Sequence, residues 1–384
     1  MKSFSIDDEQ LARLVCALTG DELARHFNHY TDFVAQAEWG PDTPVGEDGA
    51  ELTQEQLEAC ARRFCSFFDK PADSLITAAS DTFGSWSQQV KQLIEKDLRT
   101  FRFHPATQGG VAEARHSADE VWQDARMIAS LMHGRRRIIT MVSTHSLFGF
   151  VTSVLAPNLQ HLSVVDGRAM SPDLLADSLT FGDILIATPT LWRYLAQTLP
   201  SFPNNVMGLS FGEPLMLDLS AELREMGLGA MRELYGSTET GIIGWRDTPS
   251  EPFVLFDHWA ADGEKLVRTC PDGQVRELTA MDHLLWEGDR TFSLAGRRDG
   301  AVQIGAVNVF PQKIGEIIAE HPDIAGCNVR VAQRSGALDR LIAHIDLNAG
   351  VSPNQDMAWR VDEWCRKKLR PPERPRIYVF GQVS

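Results

Sequence analysis

The sequence predicts an α/β protein: a large N-terminal domain on a sheet with crossover helices, continued by β-rich structure, and a small C-terminal α+β domain. Three observations predict it. Short apolar runs at 138–142, 162–165, 184–187 and 207–211 read as buried strands, and helical stretches at 173–179 and 191–199 fall between them, the alternation that builds parallel sheets. After Trp245 the texture becomes antiparallel, with an Asp272-Gly273 hairpin signal within 266–278. A polar, glycine-flanked break at 296–300 sets the domain boundary, giving residues 1–298 and 299–384.

Taken in order, the first element is an amphipathic helix opened by Ser5 and Asp8, with Leu11, Leu14, Val15 and Leu18 on one face. Thr53 and Gln56 form a capping box ahead of Leu57, Phe64, Cys65 and Phe68. Ser117 and Glu120 open a third helix through Val121, Ile128 and Leu131, which Gly134 stops. The strand–helix alternation follows, then the hairpin and a short strand at 291–294. The C-terminal domain reads as a helix at 311–320, strands at 327–331 and 341–345, and a last helix at 356–368.

The chain has 384 residues, with 37 basic and 52 acidic side chains, so 37 − 52 gives a net charge of −15. An acidic surface repels a phosphate backbone, so no nucleic-acid partner is expected. Asp7, Asp8 and Glu9 stand where a signal peptide needs an apolar segment. The longest apolar-leaning stretch, 138–156, is interrupted by Ser143, Thr144, His145 and Ser146, so no membrane span is expected either. The six cysteines show no metal-ligand spacing and read as buried thiols of a reducing compartment; the expected localisation is cytoplasmic.

The most informative segment runs from Glu233 to Gly241, Glu-Leu-Tyr-Gly-Ser-Thr-Glu-Thr-Gly. A strand end enters a turn with three hydroxyls, two glycines and a carboxylate. Hydroxyls and amides suit phosphate oxygens, a carboxylate beside them suits Mg²⁺, and Tyr235 offers a flat face to a base. A purely structural turn with a helix N-cap accounts for the same composition.

The stretch Tyr-Gly-Ser-Thr-Glu-Thr-Gly at 235–241 resembles the signature of the adenylate-forming superfamily of acyl- and aryl-CoA ligases, luciferases and peptide-synthetase adenylation domains. Other segments follow in that superfamily's order. Ser210 to Leu215 (Ser-Phe-Gly-Glu-Pro-Leu) resembles the loop that meets adenine. Val142 to Gly149 resembles the histidine–aromatic–glycine loop beside the acid pocket, and Ala187 to Leu191 the strand-to-helix turn between them. Gly296-Arg297-Arg298-Asp299 is similar to the hinge motif, Val302 to Pro311 to the lid segment after it, and His321-Pro322 recurs beyond its helix. The resemblance covers roughly 75–380 and is closest to compact bacterial aryl-acid ligases of the 4-coumarate–CoA type, with the N-terminal part shortened.

That resemblance implies the adenylate-forming fold, a large AMP-binding domain with a β-rich subdomain and a small mobile lid. It implies an ATP-dependent ligase that activates an aryl acid such as 4-coumarate as its adenylate and passes the acyl group to CoA, with Mg²⁺ as metal. By position, Thr238 would contact the α-phosphate and Glu239 would hold Mg²⁺. Gly236 and Ser237 complete that turn, while Tyr235 and Gly212, Glu213 and Pro214 would hold adenine. Asp282, ahead of Asp289 as the alternative, would bind ribose; Arg297 would bind ribose or phosphate; His145 would border the acid; Asp299 would be the hinge.

Three departures accompany the resemblance. The phosphate loop, 105–110 with Thr107 and Gly109, lacks the superfamily's lysine, and Arg115 is the substitute charge. Gln303 stands where many members carry a lid lysine. The run 370–380 resembles the approach to the catalytic-lysine loop, and no lysine follows before Ser384. Loss of that charge implies slowed adenylation. The alternatives are therefore a ligase that loads the phosphopantetheine of an acyl carrier protein, and a nucleotide or acyl-adenylate binder with impaired chemistry. A homodimer is compatible with the sequence.

Overall fold

A computed structural model describes residues 6–27, 38–46, 49–75, 82–104, 113–298, 300–304, 307–332 and 340–382. They form two compact units: Met1–Pro105, Val111–Ala280 and Trp286–Ser293 in the first; Ala106–Gly110, Met281–Leu285 and Leu294–Ser384 in the second.

The first unit opens with α1 (Asp8–His26). Its N-cap is Asp7, whose carboxylate accepts from Glu9 N at 3.0 Å, in place of the Ser5 start expected from sequence. The single apolar face expected for it is also corrected. Of residues 10–20 all but Arg13 are buried, because α1 packs against two neighbouring helices and the segment Val151–Leu155. Those helices are α2 (Gln54–Phe67) and α3 (Phe83–Lys96). α2 has the Thr53/Gln56 capping box, with Gln56 N donating to Thr53 Oγ1 at 3.3 Å and Thr53 N to Gln56 Oε1 at 2.8 Å. In α3 a serine takes the third position of the box (Thr82/Ser85), so the usual Glu or Gln signal is absent.

The strands β1 (Thr100–Phe103) and β2 (Ala114–Ser117) pair antiparallel, and Ser117 caps α4 (Ala118–Leu131) with Glu120 completing the box. From here strands and helices alternate: β3 (Arg137–Thr140), α5 (Leu147–Phe150), α6 (Ala156–Gln160), β4 (Ser163–Asp166), α7 (Pro172–Ser178), β5 (Asp183–Ala187), α8 (Pro189–Thr198), β6 (Met207–Ser210), α9 (Leu217–Glu225) and β7 (Ala230–Ser237). Residues 151–155 between α5 and α6 form a π-turn. Order β4-β3-β5-β6-β7 is parallel throughout. Leu175 of α7, Trp192 and Leu195 of α8, and Leu219 and Leu223 of α9 bury one face of it over Leu185 and Met231.

The sheet then reverses direction. β8 (Gly241–Arg246) and β9 (Phe253–Leu255) add antiparallel to β7. β10 (Trp259–Asp262), β11 (Lys265–Thr269) and β12 (Val275–Leu278) form a separate antiparallel sheet that turns at Asp272-Gly273. β13 (Asp282–Trp286) and β14 (Thr291–Arg297) complete the nine-stranded order β13-β14-β9-β8-β7-β6-β5-β3-β4.

In the second unit β15 (Val302–Ile304) and β16 (Val307–Val309) form a small ribbon before α10 (Pro311–Ala319). A three-stranded sheet follows, β17 (Ile324–Ala332), β18 (Arg340–Leu347) and β19 (Ile377–Gln382), with α11 (Gln355–Lys368) between the last two. Ile314, Ile318, Leu341, Ala343, Met357 and Val361 make its own core. Among the described residues no helix is long and apolar enough to cross a membrane. The six cysteines are free thiols, five of them buried and Cys327 half-buried.

Candidate active site

Parallel strands put all their C-terminal ends on one edge, where loops gather and ligands bind. The loops after β3, β5, β6 and β7 are those singled out in the sequence, and side-chain contacts join the first three. Phe148, after β3, stacks on Phe211, after β6, with ring centroids 5.0 Å apart. The Thr190 hydroxyl, after β5, lies 2.9 and 2.8 Å from the two carboxylate oxygens of Glu213, after β6. Gly212 and Pro214 on either side of Glu213 are exposed. Below the loop, Glu233 of β7 accepts from Leu215 N at 3.0 Å and from Arg246 Nε at 2.8 Å. Burial pushes the Glu233 carboxyl upward, against the pull of Arg246 and the Leu215 amide. Tyr235 is buried, its ring 5.4 Å from Phe253 and 5.3 Å from Phe292, so its wall of the site is aromatic.

The turn from Ser237 to Gly241 is locked by its own hydroxyls. Ser237 N donates to Thr240 Oγ1 at 3.1 Å, Thr240 N returns a bond to Ser237 Oγ at 3.2 Å, and the two hydroxyls are 3.1 Å apart. Thr238 is half-buried and Glu239 exposed at the tip. Both flanking glycines are sterically required. A Cβ on Gly236 would sit 2.2 Å from Gly241 O, and one on Gly241, where φ is +86°, would sit 2.8 Å from Asp124 Oδ2.

A buried polar network, none of it given a site role in the sequence, holds this turn from behind. Asp124 of α4 accepts from Ile242 N at 3.1 Å, from His258 Nε2 at 3.0 Å and from Arg268 Nη2 at 2.8 Å. Arg268 also donates to Glu120 O at 2.7 Å. His116 Nε2 lies 2.7 Å from the Thr238 carbonyl. Residue type and local spacing carry no signal for these partners, since each contact spans more than a hundred positions.

His145 sits in a charged cluster. Its Nδ1 is 2.6 Å from Ser143 Oγ and its Nε2 3.5 Å from Asp21 Oδ1. Burial holds the imidazole below its ordinary range, despite Asp21. Burial alone would raise Asp21, but His145, Arg25 and Arg63 hold it well below the usual carboxylate range. Asp282 and Arg297 belong to the second unit, at the start of β13 and the end of β14, with Arg298 Nε 3.3 Å from Asp282 O beside them. Arg115, the expected substitute charge for the phosphate loop, is paired with Asp69. Thr107, Gly109 and Asp299 lie outside the described residues.

Among the described residues no group of three or more His, Cys, Asp or Glu side chains could hold a metal ion. Magnesium bound through phosphates needs only one or two carboxylates and keeps its waters. Exposed Glu239 beside the Thr238 hydroxyl fits that requirement, and a cage of protein ligands does not.

No model of a known protein family matches the chain. A curated relative, a 4-coumarate–CoA ligase of Halorhodospira halophila, is 31% identical over 267 residues, 69% of this chain and 68% of that one. Another, the 4-coumarate–CoA ligase of Cereibacter sphaeroides, is 28% identical over 287 residues, 73% and 67% of the two chains. Among solved structures, a malonyl-CoA ligase complex with methylmalonyl-CoA and AMP has a TM-score of 0.56 at 16% identity, over 74% of this chain and 71% of that one. The amide bond synthetase McbA of Marinactinospora thermotolerans has 0.58 at 15%, over 96% and 90%. At these identities the solved structures establish a shared fold.

Proposed function

The chain belongs to the 4-coumarate–CoA ligase family of adenylate-forming enzymes, and from that membership we propose that it activates an aryl acid of the hydroxycinnamate kind and passes it to the thiol of CoA. The observation that supports this most is the locked turn from Ser237 to Gly241, which presents Thr238 and Glu239 at the carboxyl edge of a parallel sheet. A carboxylate is a poor electrophile, since attack places further charge on an anionic group. Joining it to AMP supplies a good leaving group.

In the first half-reaction an acid oxygen attacks the α-phosphorus of ATP, the bond to pyrophosphate breaks, and the acyl-adenylate forms. The Thr238 hydroxyl and the Glu239 amide bond the phosphoryl oxygens as charge redistributes, on a turn already held by the Ser237/Thr240 lock. Glu239 would hold Mg²⁺, which when bound neutralises phosphate charge. In the second half-reaction the thiol sulfur attacks the acyl carbon, the carbon–oxygen bond to AMP breaks, and the thiol proton leaves to solvent. Gly212 to Pro214 and Tyr235 are assigned to adenine and His145 to the acid. Asp282 is assigned to ribose, Arg297 to ribose or phosphate, and Asp299 to the hinge of a mobile second unit.

The test is acid-dependent pyrophosphate release with a panel of aryl and alkyl acids, with and without CoA or a carrier protein. The expected result is release with 4-coumarate and a loss of about a hundredfold or more in Glu239→Ala. Release that persists unchanged in Glu239→Ala ends this assignment, and thioester formation on the carrier alone moves the acceptor from CoA to carrier.

A further inference from the structure

We propose that His116 is a positioning residue that keeps the Thr238–Glu239 peptide facing the phosphates; this rests on the assignment of the 237–241 turn to phosphate binding. His116 lies in β2 one residue before Ser117, the cap of α4, is 6% exposed, and reaches a turn 122 positions away. Its Nε2 lies 2.7 Å from the Thr238 carbonyl oxygen. A carbonyl only accepts, so Nε2 carries the proton and donates.

The consequence follows from peptide geometry. A trans peptide is planar, and its N–H points opposite to its C=O. Drawing the Thr238 carbonyl inward to His116 therefore turns the Glu239 N–H away from the protein body, as a donor on the side where Thr238 and Glu239 project. If this peptide flipped, a carbonyl oxygen would face the phosphates and repel them. Among the described residues the turn's other bonds act at its ends. The Ser237/Thr240 bonds and the Asp124 bond to Ile242 N hold its two ends, while the Thr238–Glu239 peptide lies between them. His116 is the latch for that one peptide. Phe103, with its ring centroid 6.1 Å from the imidazole, helps keep the ring in place.

The experiment compares the unsubstituted protein with His116→Phe, which keeps a flat ring and loses the donor. His116→Gln keeps an N–H at a similar reach, and Glu239→Ala serves as reference. Initial rates of pyrophosphate release with 4-coumarate and Mg²⁺–ATP give kcat and KM, calorimetry with Mg²⁺–ATP alone gives Kd, and thermal unfolding reports the fold. We expect His116→Phe to lower kcat about tenfold to a hundredfold with KM for the acid within about twofold, and His116→Gln to recover most of it. Should 4-coumarate support no turnover, a Kd for Mg²⁺–ATP raised about tenfold in the Phe variant and restored in the Gln variant supports the latch equally. Phe and Gln variants that match the unsubstituted protein in both measurements, or that lose activity only in proportion to lost fold, overturn it. If Glu239→Ala lowers release about a hundredfold while His116→Phe leaves it unchanged, the latch alone falls; if neither variant changes it, the phosphate assignment of the turn falls.

Discussion

Asp124 gives the sharpest test of how the turn is supported. It is 1% exposed and binds one backbone amide and two side chains at once, including Arg268, which is 2% exposed. Asp124→Ala removes the carboxylate that Arg268 bonds directly and leaves the buried guanidinium hydrogen-bonded to two neutral acceptors, Glu120 O and Gln123 Oε1. Breaking one side of a buried ion pair costs about 3–5 kcal/mol, and the lost bond to Ile242 N is contained in that range. Asp124→Asn keeps an acceptor for one partner and should cost about 1–3 kcal/mol. At about 2 °C per kcal/mol for a unit of this size, Asp124→Ala should lower the midpoint of thermal unfolding by about 6–10 °C. Adding Arg268→Met removes the stranded charge, so the double variant should be less destabilised than the two single costs predict, by about 1–3 kcal/mol. A midpoint shift below about 2 °C for Asp124→Ala, or strict additivity in the cycle, would refute the reasoning.

Three further outcomes are expected. Gly241→Ala must place a Cβ 2.8 Å from Asp124 Oδ2 at φ +86°, so it should destabilise by more than about 2 kcal/mol, read by thermal unfolding; unchanged stability contradicts the close approach. Ser117→Ala removes the cap of α4 and should cost about 1 kcal/mol, with Ser117→Gly losing only about a few tenths, both measured by denaturant midpoint. Burial, reinforced by Arg63 and Arg25, lowers His104 to about 4, below the ordinary imidazole value of about 6.5. Between those values the unfolded chain binds more protons than the folded one. Stability is therefore complete above about 6.5 and falls as pH drops toward 4, by about 2–3 kcal/mol. His104→Gln should flatten that slope in unfolding measured from pH 4 to 7, and an unchanged slope removes His104 as its source.

The residues show how far reading along the chain reaches. Capping boxes at Thr53/Gln56 and Ser117/Glu120 are legible because each closes within three residues. The parallel strands are legible from their apolar runs, and the Asp272-Gly273 turn from its residue types. Helix α1 marks a limit: its apolar positions fit one face, yet neighbours cover it nearly all round, and periodicity counts residues rather than neighbours. In the site, the hydroxyls and carboxylate of 237–240 stand in plain view. The contacts of Thr190 with Glu213 and of Phe148 with Phe211 join segments that only strand order brings together.

By itself the sequence determined three of the early helices, the parallel-then-antiparallel order of the strands, and a turn bearing Thr238 and Glu239, because propensities, caps and turn residues act over a few positions. Tertiary structure decided that Asp124, Arg268 and His258 share one buried site behind that turn, and that His116 meets the Thr238 carbonyl. Burial of charge and the facing of a peptide depend on which distant segments the folded chain brings within hydrogen-bond reach, and no local pattern records that distance.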